Sequence, residues 1–156
     1  MAINPKARFD YDILETIEAG LVLLGHEVKS VRKGAVSIKG AYVKIMRGPS
    51  SAGASAGMEA WLVGSTITPY QPKNIIGEYD PQRSRKLLIR KSELNKLIGK
   101  SQEAGLTLVP LSLYTKGRRI KLELGVGRGK KKYDKRETIK KRESDRNIRR
   151  QMKSRF

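Results

Sequence analysis

The chain changes its hydrophobic period several times. Ile17 to Leu24 is apolar and rich in Val and Leu, which predicts a strand, and Gly20 inside it marks a bend or bulge. Across His26–Arg32, strict alternation would group Val28, Ser30 and Arg32, a poor buried face. Helical spacing groups Val28 with Val31 and predicts a short helix that Gly34 ends. Tyr42–Met46 alternates as a strand, and Glu59–Val63 is its expected hairpin partner. The Gly/Ser/Ala segment between them, residues 48–58, carries no charged residue and is read as a tolerated loop-tip insertion. Residues 66–84, punctuated by Pro69, Pro72 and Pro81, form a long connection to a short strand at Lys86–Ile89. Ser92 is placed to cap an amphipathic helix carrying Leu94, Leu97 and Ile98 and closed by Gly105. Thr107–Tyr114 and Ile120–Val126 alternate on either side of Lys116-Gly117-Arg118, a hairpin.

Short strands dominate this pattern and helices interrupt it. The class is mainly β, and a small closed or partly closed antiparallel barrel is the economical architecture, because closure removes sheet edges. A sandwich is the alternative that spacing leaves open.

Charge changes the picture. The 156 residues carry 34 Lys or Arg against 15 Asp or Glu, a net +19, with 38 % hydrophobic residues. Residues 128–156 hold a net +10 of that charge, and their large apolar side chains are few: Tyr133, Ile139, Ile148, Met152 and Phe156. Such a segment cannot offset the entropy of ordering, which predicts a body at 1–127 and a basic tail at 128–156, disordered when free. The glycines of Gly125-Val126-Gly127-Arg128-Gly129 are read as the joint. No apolar run approaches the ~18 residues of a membrane span, and the N-terminus lacks a signal-peptide core. The expectation is a cytoplasmic protein, monomeric when free, with a polyanionic partner and no membrane partner.

Candidate chemistry is sparse. The chain has no Cys and one His, His26, which excludes thiolate metal sites, Cys nucleophiles and multi-His sites. The acidic residues are expected to balance Lys and Arg. Gly125-x-Gly127-x-Gly129 lacks the βαβ context of a dinucleotide loop. No catalytic cluster, cofactor or metal is expected, and the chain is read as a binding protein. Three basic clusters carry more weight. Lys116, Arg118, Arg119 and Lys121 lie around one hairpin, Arg83, Arg85, Lys86, Arg90 and Lys91 beside a strand, and Lys6 and Arg8 among Phe9 and Tyr11. Cations interleaved with aromatic rings suit exposed bases and phosphates, which points to RNA. A structural ribosomal RNA-binding protein with a basic extension is the alternative within this chemistry.

Six strings are together specific. They are Asn4-Pro5-Lys6-Ala7-Arg8-Phe9-Asp10-Tyr11, Ile17-Glu18-Ala19-Gly20, Gly25-x-Glu27-Val28-Lys29-Ser30, Asp80-Pro81-x-Arg83-x-Arg85-Lys86-Leu87-Leu88, Leu108-Val109-Pro110-Leu111 and Gly129-Lys130-Lys131-x-Tyr133-Asp134-Lys135-Arg136. In order and spacing the chain resembles the small protein B (SmpB) family, the tmRNA-binding (SsrA-binding) proteins of bacterial ribosome rescue. The resemblance implies an oligonucleotide-binding (OB-type) barrel with flanking helices and a basic C-terminal tail. It implies binding to the tRNA-like domain of tmRNA, delivery to stalled ribosomes, and contact with small-subunit ribosomal RNA. It places Asn4, Lys6, Phe9, Glu18, Leu88 and Lys121 on the RNA face, and the basic cluster adds Arg85 and Lys86. It places Gly129, Lys130, Lys131 and Tyr133-Asp134-Lys135-Arg136 at the decoding centre, with the tail continuing into the empty mRNA channel. Phe9 and Tyr133 stand where many members carry His, and each keeps a stacking plane. In the tail, Ile148, Met152 and Phe156 recur at i, i+4, i+8 as one apolar stripe on a cationic helix, expected to form only where RNA phosphates neutralise it.

Overall fold

Asn4 followed by Pro5 opens a helix: Pro fixes φ and lacks an N–H, both suited to a first turn. This is α1 (Pro5–Asp10), preceded by the two-residue strand β1 (Ala2–Ile3). The computed structural model describes residues 2–48, 57–71 and 77–154. Most of the insertion at 48–58, and Phe156 of the tail stripe, lie outside the described residues.

After α1 come β2 (Tyr11–Leu21), α2 (Gly25–Arg32), β3 (Val36–Ser37), β4 (Tyr42–Arg47), β5 (Met58–Val63), β6 (Thr66–Ile67) and β7 (Arg85–Leu88). Then come α3 (Lys91–Gln102), β8 (Leu106–Lys116), β9 (Arg119–Gly129) and α4 (Lys132–Ser154). One seven-stranded antiparallel sheet runs β1-β8-β9-β2-β7-β5-β4, and β3 pairs separately with β6. The fold is therefore mainly β with helices. The long strands β8, β9 and β2 follow from period-two patterning. In β9, Ile120, Leu122, Leu124 and Val126 are buried while Arg119 is exposed and Lys121 and Glu123 are half-buried. These side chains meet Leu113 of β8, Ala19 of β2, Leu62 of β5, Val31 of α2 and Leu97 of α3 in one core.

Three expectations change. The strand expected from Ile17 begins at Tyr11, because a bulge between Ile13 and Glu15 interrupts the alternation that marks a strand. The glycines read as a joint are strand residues of β9, opposite Thr16, Ile13 and Tyr11. A Cβ on Gly125 would lie 3.0 Å from Ile13 and 3.1 Å from Leu111, so glycine there answers to close packing rather than to flexibility. Ser92 does not cap α3: Arg90 is the N-cap, and Glu93 accepts its N–H at 3.3 Å.

Gly34 ends α2 as expected, at φ +80°. The Gly34 N–H donates to the Val31 carbonyl at 3.0 Å and the Ala35 N–H to the Ser30 carbonyl at 2.9 Å, a Schellman motif. In the tail, α4 is a 23-residue helix, and of its described side chains all but that of Lys135 are exposed. Among the described residues no helix is long and apolar enough to cross a membrane.

Candidate nucleic-acid interface

Gly20 is the pivot of the candidate face. On β2 it lies opposite Leu88 of β7 and Lys121 of β9. Its missing side chain leaves room for Leu88, whose Cβ would sit 3.3 Å from a Cβ at position 20. Leu88 is 56 % exposed, a large apolar side chain turned outward between cations. With Lys121, Arg118, Arg119, Val28 and Leu23 it lines an open concavity of about 400 Å3. An apolar floor with a cationic rim suits an unstacked base and its phosphate.

Glu18 stands two residues before Gly20 and so on the same face of β2. Its carboxylate accepts from the Tyr114 hydroxyl at 2.5 Å and the Lys116 ammonium at 3.2 Å, and pairs with Lys121 at 3.4 Å. The Tyr114 hydrogen bond, then the Lys116 hydrogen bond, hold the Glu18 pKa down to about 2. The same bond pushes Tyr114 up to about 12. Glu18 therefore stays ionised and gathers Lys121 from the adjacent strand β9 and Tyr114 and Lys116 from β8, one strand further on.

The second basic cluster divides. Arg85 is fully buried, so the structure removes it from the RNA-binding face. Its guanidinium donates to Glu27 at 3.0 Å, to the Ser65 carbonyl and hydroxyl, to the carbonyls of Arg83 and Pro81, and to Tyr79. Glu27, itself buried, also receives Arg83 at 2.5 Å and the Leu24 N–H at 2.8 Å. Burial raises the Glu27 pKa, but hydrogen bonds from Arg83 and Leu24 and the charge of Arg85 outweigh it, and the net value is about 2. This network ties the 77–85 segment to α2. Lys86 keeps partial exposure and pairs with Glu59 at 2.5 Å.

Asn4 is 5 % exposed. Its backbone N–H donates to the Leu111 carbonyl and its Nδ2 to the Pro110 carbonyl, while its buried Oδ1 has no hydrogen-bond partner among the described residues. Lys6 is exposed, and Phe9 lies under the guanidinium of Arg142, 5.5 Å from the ring centroid. Arg142 belongs to α4, so one face of Phe9 carries an intramolecular cation–π contact.

The decoding-centre candidates cluster where the tail leaves the sheet. Gly129 ends β9 opposite Tyr11. The Lys130 N–H donates to the Asp10 carbonyl at 2.9 Å and its Nζ to the Arg8 carbonyl at 3.1 Å. Asp134 accepts the Lys131 N–H at 3.2 Å across the first turn of α4, and Lys135 pairs with Asp10 at 2.8 Å. Tyr133 is 69 % exposed, Arg136 is exposed, and Ile148 and Met152 are exposed further along the helix.

Sequence reasoning missed Tyr114, the strongest influence on Glu18. Its signal was the alternation that puts it two residues before Lys116 on β8. It also missed the Glu27–Arg83–Arg85–Tyr79 network, because Glu27 lies more than 50 residues before its three partners and nothing local links them.

The SmpB protein family model matches residues 1–154. The SsrA-binding protein of Thermosynechococcus vestitus is 48 % identical over 152 residues, covering 97 % of this chain and 93 % of that one. That of Acetivibrio thermocellus is 49 % identical over 156 residues, covering 100 % and 94 %. A solved structure described as "tmRNA-SmpB: a journey to the center of the bacterial ribosome" contains a similar chain, with a TM-score of 0.64, 42 % identity, and coverage of 88 % of this chain and 92 % of that one. The strings that shape the Glu18–Gly20–Leu88–Lys121 face thus sit within a match running nearly end to end, and the chain belongs to the SmpB family.

Proposed function

We propose that this chain binds the tRNA-like domain of tmRNA and carries it to stalled ribosomes for trans-translation. Family membership and the SsrA-binding relatives support the partner. The observation that carries the mechanism is the apolar, cation-rimmed concavity at Leu88, with Glu18 gathering Lys116 and Lys121 beside it. The role is binding rather than catalysis, and its place is the cytoplasm, where ribosomes act. An OB-type barrel is the architecture we assign to the body. Closure is supported by β4, the last strand of the sheet, which approaches β8 at the other end.

Phosphate contacts by Lys121, Lys86 and Lys6 supply affinity, and Leu88 and Phe9 supply apolar and stacking contact. Asn4 acts by fixing α1 against β8. At the ribosome, Gly129 to Arg136 meets the decoding centre, and α4 follows the empty mRNA channel along small-subunit ribosomal RNA.

The test compares Lys121→Ala with Glu18→Gln in the full chain, by titrating labelled tRNA-like domain at several salt concentrations. Lys121→Ala weakens binding and lowers the salt slope by about one ion. Glu18→Gln removes a negative charge, yet weakens binding because Lys116, Lys121 and Tyr114 lose their common anchor. Tighter binding by Glu18→Gln, or no effect of either change, would refute the face.

A further inference from the structure

A second basic surface continues from this face onto α2. Lys29, Arg32 and Lys33 share one exposed side of the helix at i, i+3, i+4, while Glu27, Ser30 and Val31 are buried. Among the described residues no carboxylate pairs with any of these three, nor with Arg118 or Arg119. Like charges at this spacing repel. The helix dipole favours cations at this end, but it accounts neither for three of them nor for how they are held.

Each is held by a group that leaves its charge uncancelled. Arg32 Nη2 donates to the Arg118 carbonyl at 3.1 Å, which reaches the β8–β9 turn. Lys29 and Lys33 lie over the Tyr70 ring, 5.8 and 4.6 Å from its centroid. A carbonyl and an aromatic face orient a cation without neutralising it, which is the state that a polyanion meets most favourably. Arg32 retains further N–H donors beyond the one spent on the carbonyl. The row is also continuous with the candidate RNA face: Val28, one turn before Arg32, lines the Leu88 concavity together with Arg118 and Arg119.

We propose that α2 is a second wall of the RNA site, on which Lys29, Arg32 and Lys33 take backbone phosphates of the strand adjoining the base at Leu88. This rests on the RNA-binding reading above and extends it to an element that reading did not use. Arg32 has a second task as a positioning residue, holding the β8–β9 turn so that Arg118 and Arg119 face the same strand.

The experiment titrates the tRNA-like domain of tmRNA against five full-length proteins across about 50 to 200 mM salt. They are the unsubstituted chain, a combined Lys29→Gln, Arg32→Gln, Lys33→Gln variant, a charge-matched Lys39→Gln, Lys44→Gln, Lys96→Gln variant, Arg32→Lys, and Lys121→Ala. The α2 variant is expected to bind about tenfold or more weakly, with the salt slope reduced by about two to three. The charge-matched variant should stay within about threefold of the unsubstituted chain. Arg32→Lys should keep most of the slope and quicken amide exchange at the β8–β9 turn. If the combined variant melts early, Lys29→Gln and Lys33→Gln alone, both at exposed sites, each lower the slope by about one. Equal behaviour of the α2 and charge-matched variants, with Lys121→Ala still impaired, overturns this inference alone. No loss in Lys121→Ala as well overturns the RNA face itself.

Discussion

Glu18 and Glu27 both titrate near 2, by different routes. Glu18 is an exposed carboxylate pinned by a phenol and two ammonium groups, whereas Glu27 is buried and held ionised by two guanidinium groups and a backbone amide. In each the folded pKa lies below the usual value of 4.5, so each contributes stability that is complete above that value and fades as pH falls towards about 2. Carboxyl NMR titration is expected to find both midpoints near 2, and Tyr114→Phe should move Glu18 back towards 4.5 while leaving Glu27 in place. Arg85 sets the larger energetic stake. Arg85→Ala leaves Glu27 buried without its central partner and should cost about 3–5 kcal/mol in chemical denaturation. Arg85→Lys should recover little of it, because one ammonium cannot span the Glu27, Ser65, Tyr79 and Pro81 oxygens. Neither glutamate shows its role in sequence: Glu18 and Glu27 differ there only by neighbours, and the difference in burial comes from the packing of α2 against the 77–85 segment.

At the scale of elements, three helices begin in the same way. Glu27, Glu93 and Asp134 each reach back to the backbone N–H at the start of α2, α3 and α4. A carboxylate there satisfies an orphan amide and meets the positive end of the helix dipole. For α3 the acidic residue is visible in sequence, but Ser92 beside it also has the chemistry of a cap, and the helix in fact starts earlier, behind Arg90. For α4, Asp134 lies inside a string that the family resemblance assigned to the decoding centre. Asp134→Ala should therefore fray the first turn, raising amide exchange at residues 131–135, in addition to any effect on the ribosome. The strands teach the complementary lesson. Gly125 and Gly127 look like a hinge because three glycines occur in five residues, yet both pack under β2. Gly125→Val should cost about 1–3 kcal/mol through overpacking against Ile13 and Leu111, measured by thermal or denaturant unfolding. A flexible joint would accept valine without loss.

At the scale of the molecule, Lys135 with Asp10 and Arg142 with Phe9 join α4 to the body, and the Lys130 bonds to α1 hold the segment just before it. Beyond Arg142 the described side chains of α4 are exposed, and Arg142, Arg146, Arg149 and Arg150 gather with Asp145 along one groove. We infer that this outer half is ordered by its RNA partner, since helix propensity alone sustains short isolated helices poorly and like charges oppose it. Hydrogen exchange in the free protein should be fast beyond Arg142 and slow once the ribosome is bound. Met152→Gln should impair peptide tagging on stalled ribosomes more than Arg150→Gln, with tmRNA binding unchanged in both, because it removes apolar contact from the Ile148–Met152 stripe rather than one charge of many. Equal impairment would count against coupled folding.

Local patterning alone determined the strand-rich class, the positions of α2 and α3, the β8–β9 hairpin, the basic balance and the RNA-binding chemistry, because period, turn residues and net charge are properties of neighbours along the chain. Tertiary structure decided which cations are free to meet RNA. Arg85 and Lys86 are adjacent in sequence, and strand alternation sends one into the core and leaves the other at the surface. The same alternation turns Leu88 outward, and Gly20, from a strand far away in the chain, leaves the space beside it open. Glu18 acquires its lysines only when β9 pairs with β2 and β8 with β9. A local period says that alternate residues share a face, but contacts between distant segments decide which face is buried and which partners meet there.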